Sequence, residues 1–284
     1  MADVPSNPHF SSQSGPSAAQ MLRALPMTQS AAAMVGTARR YSTQCAPLDK
    51  VLEGGLKRGH ILELSGPPGC AKEQLAINVV YTFVESNHEV LFIDFQNMTS
   101  PATLSRALQK LPNLKHDYAK LIQHLNLHTL PDLIVFLRNL PSYLGEHPKV
   151  ALLVLGSLSF AFQSPANLPN NARNALLDRV KQALAKACAS TNLTVVITSQ
   201  LATKLVNPDG SAANFDTGSR AIMVPQLGTT HLPLGRTYRV IVVPQGRSTG
   251  IVRLLSSPTH MPGPQPVREE SYQLCSSQIG GMME

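Results

Sequence analysis

Residues 62–74, LELSGPPGCAKEQ, join an apolar run of strand length to a Gly/Pro-rich turn and then to a lysine opening a helix-like stretch. That order is the arrangement of a phosphate loop. In G-x-x-x-x-G-K-S/T the loop N–H groups wrap phosphate oxygens, the helix N-terminus adds its positive end, the Lys meets the outer phosphates and the hydroxyl holds Mg²⁺. Gly66, Pro67, Pro68, Gly69, Cys70, Ala71, Lys72 and Glu73 are therefore candidate nucleotide-binding residues. Two of them break the strict pattern. Ala71 adds a methyl where the last Gly belongs, and Glu73 replaces the hydroxyl residue. A carboxylate about 5 Å from a phosphate oxygen costs about 3 kcal/mol at an effective dielectric of about 20. A bridging Mg²⁺ would reverse the sign, because a carboxylate can itself ligate the metal. ATP and Mg²⁺ are thus expected to be weakly held or lost. The plainer alternative is a bare strand-to-helix turn with Lys72 solvated or near the helix cap.

The elements that must position this loop are legible from periodicity. From Tyr41 onward apolar runs alternate with amphipathic stretches of helix length, the pattern of a mostly parallel sheet covered by helices. Strands are predicted at 61–65, 90–94, 150–155 and 193–198, and helices at 72–86, 103–111, 130–143 and 172–191. After residue 236 the pattern changes to short β segments, YRVIVV, GIVRLL and YQLC, separated by Gly and Pro, which predicts antiparallel strands at the end of the sheet. The fold class is α/β, with one core over 41–284 and no internal repeat. Residues 1–40 are rich in Ser, Ala, Pro, Gln and Met and read as a disordered low-complexity tail. Within the tail, 18–25 (AAQMLRAL) is long enough for two helical turns, transient or docking.

A larger pattern surrounds the loop. STQCAPLDKVLEGGLKRGHILELSGPPG, 42–69, resembles the entry to the ATPase core of eukaryotic RecA-type recombinases, and VALLVLGSLSFAF, LTVVITSQLATK and VPQLG follow in that family's order. Within the family the likeness is to the recombinase paralogues, closest to the one lettered C, which act as mediators of homologous recombination. The resemblance implies a RecA-like P-loop ATPase fold and a nuclear DNA-repair role, with recombinase and paralogue subunits as partners. Carried over by position, it puts Gln96 where relatives have the Glu that activates water, and Gly156 where they have an Asp that positions Mg²⁺. An amide cannot accept the proton, and glycine offers no oxygen. With Glu73 and Ala71, these degenerate positions imply that hydrolysis is lost. Gln200 matches the family's γ-phosphate sensor, and its plainer reading is a strand-end amide. Segment 202–223, polar and loop-like, stands in the place of the second DNA-contacting loop, with Lys204 and Arg220 at its flanks. Single-stranded or branched DNA is the implied ligand, held by its phosphates. Arg236, Arg239, Arg247 and Arg253 are a candidate basic stripe on the late strands.

Composition constrains the remaining options. The chain has 284 residues, 43% hydrophobic and 14% charged, with a formal charge of +7 that suits an anionic partner. Cys45, Cys70, Cys188 and Cys275 lack metal or disulfide-framework spacing, and reduced thiols are expected. His88, His116, His124 and His128 show no metal spacing, and Ser65, Ser157 and Ser159 lack a nucleophile-elbow setting. No apolar run is long enough to span a bilayer, and the start lacks a secretion pattern. Relatives assemble through a Phe-x-x-Ala linker; residues 10–13, FSSQ, fail that pattern, so assembly through the core edges is expected. Two rival readings follow from the same residues. One is an active DNA-dependent ATPase in which Glu73 or another carboxylate holds Mg²⁺; the other is a purely structural subunit touching neither ATP nor DNA.

Overall fold

The central strands are near-continuous apolar runs because both of their faces are covered, as strands of a parallel sheet require. The computed structural model describes residues 39–111, 117–163, 168–209, 211, 213, 220–228, 231–246, 248–259 and 268–274. All of these fall within one compact unit, Arg39–Glu284. The tail expected over 1–40 and its helical segment at 18–25 lie outside the described residues, apart from Arg39 and Arg40.

In chain order the elements are β1 (Arg40–Tyr41), α1 (Ala46–Val51), β2 (Leu56–Lys57), β3 (Ile61–Ser65), α2 (Lys72–Glu85), β4 (Glu89–Asp94), α3 (Pro101–Gln109) and β5 (Ile122–Asn126). Then follow α4 (Leu130–Glu146), β6 (Val150–Gly156), α5 (Leu158–Ala161), α6 (Asn170–Ser190), β7 (Thr194–Ser199), β8 (Leu201–Val206) and β9 (Arg220–Pro225). The last strands are β10 (Thr237–Pro244), β11 (Thr249–Ser256) and β12 (Glu269–Gln273). Eight strands form the main sheet in the order β12-β11-β10-β3-β7-β6-β4-β5. Pairing is parallel from β10 across to β5, while β10–β11 and β11–β12 are antiparallel. The expected α/β architecture with an antiparallel end is what the chain adopts.

Successive residues of a strand point to opposite faces, and the sheet accordingly has two apolar cores. On one face Leu62, Leu64, Phe92 and Val240 pack with Val79 and Phe83 of α2, Leu104 and Leu108 of α3, and Leu48 of α1. On the other, Ile61, Ile93, Leu153 and Ile197 pack with Leu133 and Leu137 of α4 and Val180 and Leu184 of α6. No helix of the described residues is long and apolar enough to cross a membrane.

Local chemistry sets the helix bounds. α3 begins at Pro101, two residues before its expected start, because Ser100 accepts from the Thr103 N–H and Pro fits the first turn. α4 opens with a capping box, Thr129 and Asp132 bonding each other's backbone, and it continues through Pro141 to Glu146. Two of the unexpected features bear on function. β5 is an edge strand, and residues 202–223 are not a plain loop. β8 and β9 pair antiparallel as a separate two-stranded hairpin, with Leu201 opposite Pro225 and Val206 opposite Arg220.

Candidate functional site

The strands β3, β7, β6 and β4 lie side by side and run the same way, so their carboxyl ends emerge along one edge of the sheet. Such an edge is where open α/β sheets bind ligands. The phosphate-loop residues leave β3 there, Gln200 leaves β7, Gly156 ends β6, and Gln96 follows β4. The nucleotide-binding candidates and the positions Gln96 and Gly156 are thus brought together by topology. Ser65 and Ser199 face each other in register, with their hydroxyls 3.1 Å apart, and the Gly66 N–H donates to the Ser199 carbonyl at 3.2 Å.

Backbone geometry explains both glycines of the loop. A Cβ on Gly66 would collide with Cys70 Sγ and come 2.9 Å from the Val242 carbonyl, while Gly69 has φ +76°. The turn closes through Cys70 N–H donating to the Pro67 carbonyl at 3.3 Å. Ala71 occupies the N-cap position of α2 and packs against the first apolar core. Lys72 is fully buried, which corrects the alternative of a solvated side chain. Its Nζ donates to the Pro67 carbonyl at 2.9 Å, points at Cys70 Sγ at 3.9 Å, and pairs with Glu73 Oε1 at 3.1 Å. Tyr272 of β12 is buried against this loop. Burial raises its phenol above the usual range, with Cys70 and Cys45 adding to the rise and the Ala71 N–H opposing it.

At the neighbouring strand ends the described residues offer little to a metal. Asp94 is buried and already engaged: Oδ1 accepts from Gln96 N–H at 3.0 Å and Oδ2 from Thr99 N–H at 2.6 Å. Gly156 lies opposite Asp94 across the ladder, and a Cβ there would come within 3.1 Å of the Ile93 carbonyl. Ser157 follows in the left-handed region, φ 59° and ψ 49°, its N–H bonded to Thr198 Oγ1 at 2.8 Å. Gln200 is fixed through its backbone, donating to Ser159 Oγ at 3.0 Å and accepting from Gln226 N–H at 2.9 Å. Among the described residues no cluster of His, Cys, Asp or Glu could hold a metal ion. With a carboxylate at 73, no side-chain oxygen at Gly156 and Lys72 already paired, these residues are a poor fit to Mg²⁺ and ATP held in the usual way.

The hairpin leaves the same edge directly after Gln200. Lys204 lies opposite Ile222 and Arg220 opposite Val206, so the two cations share one face, and both are exposed. Two neighbouring exposed cations can take phosphate oxygens of an extended strand. Phe215 and Asp216, between those two cations in the sequence, lie outside the described residues.

Among the described residues the late arginines form no basic stripe. Arg239 is buried in an ion pair with Glu63 at 2.6 Å, Arg236 donates to the Gly59 carbonyl, Arg253 pairs with Glu269, and Arg247 lies outside the described residues. They fail because sheet register turns Arg239 inward, directly beside Glu63 of the parallel neighbour β3. This cluster was not anticipated. His231 joins it, with Nε2 3.3 Å from Glu63 Oε1 and Nδ1 3.1 Å from the Gly228 carbonyl, which also receives Arg239 Nη1. The signal in the sequence was a glutamate inside the apolar run ILELS, since a charge there must find a partner. Of the other histidines, His88 meets the Tyr41 hydroxyl at 3.0 Å and His124 the Thr99 carbonyl at 2.8 Å, His128 is exposed, and His116 lies outside the described residues. Cys45, Cys70 and Cys188 are buried free thiols, and burial pushes Cys188 up to about 12; Cys275 lies outside the described residues.

Comparison with known proteins adds a family. The profile described as Rad51 matches residues 37–279. A "DNA repair and recombination protein RadB" of Methanosphaera stadtmanae is 25% identical over 154 residues, 54% of this chain and 65% of that protein. A "DNA repair protein RAD51 homolog 3" of Cricetulus griseus is 24% identical over 213 residues, 66% of this chain and 55% of the relative. Its counterpart in Dictyostelium discoideum is 24% identical over 226 residues, 70% and 56% of the respective lengths. The chain therefore matches just over half of the length of the homolog 3 proteins, and 65% of the RadB.

Proposed function

The chain belongs to the Rad51 family, and from that membership we propose that it is a recombinase paralogue, a mediator of DNA repair by homologous recombination in the nucleus. It binds recombinase or paralogue subunits through the edges of its core, next to single-stranded or branched DNA, and stabilises the assembly while a partner performs the nucleotide chemistry. The relatives named for DNA repair and recombination support the process, and the two homolog 3 proteins support the paralogue placement, nearest to the one lettered C. ATP is held weakly if at all, and hydrolysis is lost.

The observation that carries this reading is the state of Lys72, buried and ion-paired to Glu73, at an edge where the resemblance puts Gln96 and Gly156 in the places of the reaction's carboxylates. Phosphoryl transfer depends on charge neutralisation and water positioning, and neither has its usual group here. The exposed pair Lys204 and Arg220 supports backbone contact with DNA.

Co-purification of the tagged chain from DNA-damaged cells, with identification of its subunits, tests the mediator role. Capture of recombinase or paralogue subunits is expected, and capture of none would remove it. A turnover assay on the purified chain, with and without single-stranded DNA, is expected to give no ATP hydrolysis above that of Lys72→Ala. A DNA-stimulated rate abolished by Lys72→Ala would make the chain a working ATPase instead.

A further inference from the structure

An ammonium has three N–H donors, and a phosphate-loop lysine is useful because at least one of them can turn to the ligand. Around Lys72 three acceptors from the chain itself converge: the Pro67 carbonyl at 2.9 Å, Glu73 Oε1 at 3.1 Å and Cys70 Sγ at 3.9 Å. The side chain is 1% exposed, leaving no solvent-facing donor. Two of the three acceptors are fixed by the turn. Pro67 is held by the Cys70 N–H, and Cys70 Sγ fills the space that a side chain on Gly66 would need. The third is different in kind: the Glu73 side chain is 34% exposed, so it is the one acceptor that can swing away.

Glu73 is also an acidic residue in the first turn of α2, where the helix end favours negative charge. The N-cap residue Ala71 supplies no side-chain bond, so the carboxylate is the anion that this helix end has. Its placement reproduces in outline what a bound phosphate does: negative charge at the helix start, in contact with the loop lysine.

We propose that Glu73 is a built-in anion that occupies the phosphate side of Lys72 and keeps the loop folded, charge-balanced and closed to nucleoside triphosphates. A nucleotide must displace Glu73 and then tolerate its carboxylate nearby, so the block is electrostatic. Rearrangement of the fold is not needed to lift it. This deepens the mediator reading and rests on it for its meaning, since a loop filled from within lets a subunit hold its shape whatever the nucleotide supply. The chemistry of the clasp is separable from that reading.

The test is binding of a fluorescent ATP analogue with Mg²⁺ to the full chain and to Glu73→Thr, Glu73→Gln and the double variant Glu73→Thr with Lys72→Ala. Thermal unfolding with and without ATP and Mg²⁺ provides the second readout. Glu73→Thr is expected to bind roughly a hundredfold more tightly than the wild type, with a nucleotide-dependent rise in Tm that the wild type lacks. Glu73→Gln gains affinity as well, because it keeps the shape and removes the charge. The double variant returns to the wild-type level, since the gain runs through Lys72. Two results overturn the clasp: a wild type that already binds as tightly as Glu73→Thr, or a folded Glu73→Gln that binds no better than the wild type. Should Glu73→Thr fail to fold, the Glu73→Gln comparison decides alone. Gain of affinity in a chain that captures no recombinase subunit leaves the clasp standing and removes the mediator role.

Discussion

Glu63 is a fully buried charge, its carboxylate meeting Arg239, His231 and the Ser199 hydroxyl inside the sheet. Taking one partner away leaves the other charged and unsatisfied, so Glu63→Ala or Arg239→Ala is expected to lose about 3–5 kcal/mol in urea unfolding. Acid should act through the same group. Burial by itself pushes the Glu63 carboxyl up, but the bond and charge of His231, with Arg239 and Ser199, bring it below the usual 4.5. A carboxyl lowered on folding adds stability that is complete above its unfolded value and is lost as pH falls through the folded one. Wild-type stability should therefore fall below about pH 4.5 more steeply than that of Glu63→Gln; parallel curves would take Glu63 out of the acid response. This residue was legible as an anomaly in ILELS, whereas Arg239 was not, because its partner lies 176 positions away and only sheet register reveals the pair.

Elements divide by how much of their surface is buried. The four central strands announced themselves, being apolar on both faces, and α4 did so through its amphipathic run at 130–143. β5 did not: its residues are half-buried or exposed, and IQHLN carries no clear alternation. The hairpin was missed because its strands, LATKLV and RAIMVP, are short and bury little, while the polar residues 207–219 between them set the composition of the segment. Its pairing has a functional consequence that a loop would not have, because register places Lys204 and Arg220 on one face at a fixed spacing. Each phosphate contact on a single strand contributes about 0.7 to the salt dependence of binding. Lys204→Ala with Arg220→Ala should thus reduce the slope of log affinity against log salt by roughly 1.4, measured by anisotropy of a labelled single-stranded oligonucleotide. An unchanged slope would place DNA elsewhere.

For the molecule as a whole, one side of the sheet ends in antiparallel strands and the other in the parallel edge strand β5. The β5 edge carries an exposed apolar residue, Leu125, beside backbone groups that no described strand pairs on that side. An open edge of this kind is a template for another chain. Leu125→Lys is expected to weaken capture of partner subunits while changing unfolding free energy by no more than about 0.5 kcal/mol. Capture at wild-type strength would move the contact to another surface. At Gly156 the neighbouring Ile93 carbonyl stands 3.1 Å from where a first side-chain carbon would begin. A side chain at 156 would need that neighbouring backbone to give by a few tenths of an ångström, so Gly156→Asp is expected to strain the ladder between β6 and β4 before its oxygens could reach any cation. Glycine at this strand end thus lets two strands lie closer than any side chain would allow, and adding an oxygen ligand there would first have to push them apart.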